Sequence, residues 1–202
     1  MIAGVALATS VSRAGGLGFL GAGTDLSSFS QMLSDCISAH QSCYIPGTIS
    51  GTVPIGVGFL CWGASLDIAV SIIQKAPVKP AAAWLFAPRE QKDLVEWTAR
   101  LREASSGKTR IWIQVGTVVM AVELAKSCKP DVLVIQGSDA GGHGLKKSSS
   151  IVTLLPECAD ALKREGLGHI PLIAAGGVVD GRGAAAALML GASKFLFHIS
   201  RY

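Results

Sequence analysis

Charge is scarce in this sequence, and so are aromatic rings: Asp, Glu, Lys and Arg make up 16% of the 202 residues, and Phe, Trp and Tyr 6%. With half the residues hydrophobic, so little charge excludes a disordered chain, because the apolar side chains must be packed inside something layered. The 18 basic and 14 acidic residues are scattered, for a net charge of +4. The four tryptophans, Trp62, Trp84, Trp97 and Trp112, do not interleave with basic residues, so they are expected as core or mouth packing and no nucleic-acid partner is expected. The N-terminal stretch "MIAGVALATSVSRAGG" lacks a basic leader and meets Arg13 well before a membrane-spanning length, so it is expected to be a structural start rather than a signal or anchor. Cys36, Cys43, Cys61, Cys128 and Cys158 are odd in number, far apart, and show no C-x-x-C or Cys/His ligand spacing. They are expected as reduced core thiols of an intracellular, cytoplasmic protein with no metal site.

What the chain has in quantity is glycine, 24 residues of it, distributed among short apolar runs. "LGFLG" from Leu17, "IGVGFL" from Ile55, "AAWLFA" from Ala82, "IWIQVG" from Ile111, "VLVIQG" from Val132, "PLIAAGG" from Pro171 and "KFLFHI" from Lys194 give seven predicted strands. They are continuously apolar rather than alternating, the pattern of strands buried on both faces. Helical patterns fall between them. Ser65 precedes "LDIAVSIIQKA", which stops before Pro77; "EQKDLVEWTARLREASSG" closes at Gly107; "TVVMAVELAKSCK" stops at Pro130; "TLLPECADALKREG" offers a threonine cap and a closing glycine. Strand–helix alternation predicts a parallel sheet, either open and doubly wound or closed into a barrel. The chain opens without a proper first strand and halts at Tyr202 just after its last one. That favours a (β/α)8 TIM barrel lacking its first strand and final helix, as one domain over 1–202.

"GLGFLG", Gly16 to Gly21, matches G-x-G-x-x-G but not its context. The dinucleotide fingerprint lies between a strand and a helix, whereas here the motif is itself the predicted strand and "VALATSVSRAG" ahead of it reads as a helix. "AAGGVVDGRGAAAALMLGA", Ala174 to Ala192, fits better. A β-run ends in Gly176 and Gly177, and a helix follows from about Asp180, so bare amides near a helix N-terminus offer an anion site. One unit earlier, "VLVIQGSDAGGHG" runs from a strand into Gln136, Gly141, Gly142 and His143. A histidine at a strand's C-terminal end can carry a proton near neutral pH. Gln114 in "WIQVG" is a polar residue at the end of an apolar strand, which calls for either a backbone partner or a ligand. His40 and His169 read as loop residues and, with His198, as bystanders.

Together, "AGGLGFLGAG", "PIGVGFL", "WIQVGTVVMAVELAKSC", "QGSDAGGHG" and "AAGGVVDGRGAAAALMLGA" resemble the nitronate monooxygenase family, formerly 2-nitropropane dioxygenases, over nearly the whole chain. The resemblance implies a (β/α)8 barrel holding FMN. Gln114 and Gln136 match flavin-contacting glutamines, Gly141 and Gly142 the turn beside the ring, Ala175, Gly176 and Gly177 the phosphate turn, and His143 the catalytic histidine. It implies oxidation of alkyl nitronates, or nitroalkanes, by O2 to carbonyl compounds and nitrite.

Two departures stand beside it. Met1 falls where the family carries a methionine after a first strand, and "LFHISRY" stands where the family continues through a Gly-Thr pair. Two other readings follow: an FMN-dependent enoyl-thioester reductase of the same superfamily, against which Gln136 argues, and a non-catalytic barrel fragment without flavin.

Overall fold

A computed structural model describes residues 3–40, 50–141 and 148–196. The chain divides into two compact units, Met1–Ile111 and Trp112–Tyr202. All strand pairs within each are parallel, with helices between successive strands, so the architecture is α/β.

The first unit contains α1 (Val5–Arg13), β1 (Gly18–Gly23), α2 (Phe29–His40), β2 (Thr52–Leu60), α3 (Leu66–Lys75), β3 (Lys79–Phe86) and α4 (Asp93–Ala104), and it ends in the first two residues of β4 (Arg110–Val115). The strand order is β1-β2-β3. Only Gly18–Gly21 of "GLGFLG" lie in β1, which runs on to Gly23, and a glycine is obligatory at the strand's first position, Gly18. A Cβ on Gly18 would run into the backbone carbonyl of Ala8, so α1 can lie directly on the strand only because nothing projects there. Ser12 joins α1 to both β1 and β2: its hydroxyl donates to the Pro54 carbonyl at 2.6 Å and accepts from the Gly18 amide at 3.0 Å. Pro54 lies at a register shift between Val53 and Gly56, where a residue without an N–H costs no ladder bond. The helix-facing side of the sheet packs through Phe59, whose ring meets Phe29 edge-on at 5.5 Å and tilts against Trp97 at 5.5 Å. On the opposite face Phe19 covers Gly56 and meets the Trp84 ring edge-on at 5.2 Å.

Local signals account for the helix ends. Ser65 caps α3, accepting from the Ile68 amide at 3.4 Å, and Lys79 Nζ closes its other end by donating to the carbonyls of Ile73, Gln74 and Ala76. His40 departs from its expected loop setting. It is the last residue of α2, buried, with Nδ1 2.8 Å from the Cys36 carbonyl of its own helix.

The second unit holds the rest of β4, then α5 (Val118–Cys128), β5 (Val132–Gln136), α6 (Ile151–Arg164), β6 (Leu172–Ala175), α7 (Gly181–Met189) and β7 (Lys194–Phe195), in strand order β4-β5-β6-β7. All of β5 and β6 is buried, as their unbroken apolar runs require. Thr117 caps α5 through the Met120 amide, and Lys129 ends it in the left-handed region just ahead of Pro130. The cap of α6 is Ser150, three residues before the expected threonine. The buried face already begins at Ile151, which makes Thr153 a first-turn residue. The "KFLFHI" run is described only as far as Leu196.

Cys36, Cys61 and Cys158 are free and buried, and Cys128 is buried; Cys43 and His198 lie outside the described residues. Burial pushes the Cys61 and Cys158 thiols up to about 12 and Cys36 to about 11. Among the described residues no group of side chains could hold a metal ion, and no helix is long and apolar enough to cross a membrane.

Candidate functional site

Five of the expected site residues, Gln114, Gln136, Ala175, Gly176 and Gly177, lie at or just past the C-terminal ends of β4, β5 and β6, all within the second unit. Gln114 pairs in register with Val134, and Val134 with Ile173; two residues on, Gln136 pairs with Ala175. Because successive strand residues alternate faces, Gln114, Gln136 and Ala175 share one face, while Ile113, Ile135 and Ala174 form the other. Both glutamines are over nine-tenths buried, at 7% and 8% exposure. Gln136 Oε1 has no hydrogen-bond partner among the described residues. Such an acceptor normally costs about 1–3 kcal/mol when left unpaired, so a buried one beside a strand end marks a place where a donor fits.

Past Gln136 the two described ends of the β5–α6 connection, 137–141 and 148–150, meet. The Gly137 amide donates to the Ala175 carbonyl at 2.9 Å, continuing the ladder by one residue, and Ala140 closes a turn onto the Gly137 carbonyl at 3.2 Å. No side chain fits at Gly137, where a Cβ would stand 2.7 Å from the Ile151 nitrogen. The far end of the connection is tied to the near one: the Ser138 amide donates to the Ser149 carbonyl at 2.8 Å, and Ser148 Oγ to the Gln136 carbonyl at 2.7 Å. Asp139 Oδ2 accepts from Ser150 Oγ at 2.8 Å and from the Ile151 amide at 3.3 Å, fixing the turn to the start of α6. Gly141 is exposed, and a Cβ there would meet nothing within 4 Å. Gly142 and His143 lie outside the described residues.

The β6–α7 turn rests on that connection. Gly176 and Gly177 have φ of +96° and +74°, backbone that an L side chain strains to adopt. A Cβ on Gly176 would lie 2.7 Å from Ala140 Cβ, and one on Gly177 3.1 Å from Asp139 Cβ. Gly176 is therefore required twice over, by conformation and by space, and Gly177 by its conformation. Asp180 then caps α7, accepting from the amides of Arg182 and Gly183 at 2.9 and 3.2 Å while the Arg182 guanidinium pairs with its other oxygen at 2.6 Å. The Arg182 side chain and these amides hold the Asp180 carboxyl below the usual range.

The structure thus brings Gln114, Gln136, Ala175, Gly176 and Gly177 to one end of three adjacent parallel strands. The part that Asp139, Ser148 and Ser150 play in tying that end together escaped the sequence reading. Their only signal was the spacing of small polar residues on either side of "AGGHGLKK".

A parallel α/β chain with a polar, glycine-lined strand end of this kind belongs to a broad class of ligand-binding folds, and comparison with known proteins narrows it. The chain belongs to the nitronate monooxygenase family, whose model, described as "Nitronate monooxygenase", matches residues 90–195. It is 48% identical over 197 residues to "Nitronate monooxygenase npaC" of Metarhizium robertsii, covering 96% of this chain and 54% of that protein. It is 35% identical over 208 residues to "Nitronate monooxygenase" of Neurospora crassa, covering 95% and 55%. Among solved structures it is similar to FabK (M276A) from Thermotoga maritima, with a TM-score of 0.70 at 26% identity over 95% of this chain and 56% of that one. The chain spans about half the length of the curated relatives it matches.

Proposed function

We propose that this strand end binds FMN and that the protein oxidises alkyl nitronates with O2 to carbonyl compounds and nitrite, on a (β/α)8 barrel of which these strands are part. The observation that carries the reading is the orphaned acceptor of Gln136 one strand away from the Gly176–Gly177 turn. One position offers a buried carbonyl oxygen for a ring N–H, the other a side-chain-free turn for a phosphate, so the residues present fit the group. Family membership supports it.

When bound, the flavin would supply the redox chemistry between substrate and O2. The chain's own part is to hold and orient. Gln136 Oε1 accepts from the ring, and Gln114, on the same face, borders it. The amides of the 176–177 turn bind the phosphate without a side chain intervening. The apolar neighbours Val134 and Ile173 exclude water from that face. His143, seven residues past the end of β5, takes the proton from the carbon next to the nitro group when the substrate is the neutral nitroalkane. Toward the anionic nitronate it donates a hydrogen bond instead.

The test is oxygen uptake and nitrite release with a nitronate, in the wild type and in His143→Asn. The variant should retain FMN and lose about 100-fold or more in turnover of the neutral nitroalkane. Wild-type turnover in the variant would remove His143 from the chemistry, and NADH consumption with an enoyl thioester in place of oxygen uptake would assign the reductase reaction instead.

A further inference from the structure

Asp139 has no part in the chemistry above, yet it lies between the two turns that build the site. Its Oδ2 is committed to Ser150 Oγ and the Ile151 amide, at the end of α6 where unpaired N–H groups favour a negative charge. Its Cβ stands 3.1 Å from where a Cβ of Gly177 would be, and its neighbour Ala140 is 2.7 Å from the corresponding point on Gly176. The glycine turn carries no side chains of its own and holds positive φ at two successive residues, so its shape depends on the surface beneath it. That surface is Asp139–Ala140, locked by the Gly137–Ala140 turn and the Ser138–Ser149 bond.

We propose that Asp139 is a positioning residue for the Gly176–Gly177 turn, and that its carboxylate sets the affinity of the site for the phosphate end of a flavin nucleotide without touching it. The inference rests on the reading of that turn as the phosphate site. One oxygen of the carboxylate is taken up by the hydroxyl and the amide at the start of α6.

The experiment compares FMN with riboflavin, which shares the ring and lacks the phosphate, by flavin-fluorescence titration of the full chain as wild type, Asp139→Asn and Asp139→Ala. In Asp139→Ala the Kd for FMN should rise about tenfold, the equivalent of one charge-assisted hydrogen bond, while that for riboflavin moves by less than about twofold. Asp139→Asn, which keeps an acceptor but not the charge, should weaken FMN by about threefold, again sparing riboflavin; it decides the matter if the alanine variant does not fold. Equal weakening of both ligands would mean a merely structural role and overturn the proposal, as would FMN binding unchanged in both variants. A wild type that binds FMN and riboflavin equally well removes the phosphate reading itself and the inference with it. A wild type that prefers FMN but is insensitive to Asp139 removes only the inference.

Discussion

Gln136 and Ala175 stand opposite each other at the last positions of β5 and β6, and the amide that follows Gln136 donates to the Ala175 carbonyl at 2.9 Å. The ladder is thus complete up to the point where a buried side-chain oxygen is left without a partner among the described residues. Stability and binding should pull in opposite directions here. Replacing Gln136 by the near-isosteric Met removes the unpaired acceptor and should raise the stability of the flavin-free protein by about 1 kcal/mol while weakening FMN by about tenfold. Thermal melts with and without FMN check both signs in one experiment.

Ser12 is the buried joint of the first unit, giving one hydrogen bond to the Pro54 carbonyl and taking one from Gly18. Ser12→Ala leaves a buried donor and a buried acceptor unpaired and should cost about 2 kcal/mol in a urea unfolding curve. Because its bonds lie among α1, β1 and β2, FMN affinity should be unchanged in the variant where it remains folded.

The strands of the described residues and the glycine turn after β6 were legible in the sequence because two-sided burial leaves an unbroken apolar run, and a glycine pair after such a run has few structural uses. The end of "VLVIQ" and the end of "LIAA" fall where the runs stop. Helix starts were less legible. Ser150 and Thr153 are both good caps, and only the position of the first buried residue, Ile151, decides between them. His40 was misplaced for a related reason: the polar Ser38 and His40 look like a loop, yet the buried His40 side chain bonds back into its own helix. The clasp formed by Asp139, Ser148 and Ser150 was legible only as small polar residues on either side of the connection, since no periodicity reports which of them meet.

The buried thiols give a signed pH dependence. Burial raises Cys61 and Cys158 to about 12 and Cys36 to about 11, against an unfolded value of 9.0. A raised folded-state value means that the stabilisation is intact below pH 9 and is lost as pH climbs from there toward the folded values, where the unfolded chain ionises first. Denaturant midpoints should therefore fall between pH 9 and 11. Alkylation by iodoacetamide at pH 8 should be slow in the native protein and fast in urea.

Asp180 works in the opposite sense. Its carboxyl is held below the ordinary 3.8 by Arg182 and the amides it caps, so the start of α7 is stabilised above that value and loosens as pH falls through the folded one. Hydrogen exchange at the Arg182 and Gly183 amides should be protected at pH 5 and accelerate in Asp180→Ala at the same pH, beyond the change in the intrinsic rate.

The most direct test of the site is an FMN titration of the 202-residue chain and of Gly176→Ala, followed by the flavin absorbance at roughly 450 nm. At Gly176 a methyl group would enter the space held by Ala140 on a backbone with φ of +96°. The account predicts saturable binding with a perturbed flavin spectrum in the wild type and at least about tenfold weaker binding in Gly176→Ala. No saturable binding by the wild type, or equal binding by a folded Gly176→Ala, would contradict it.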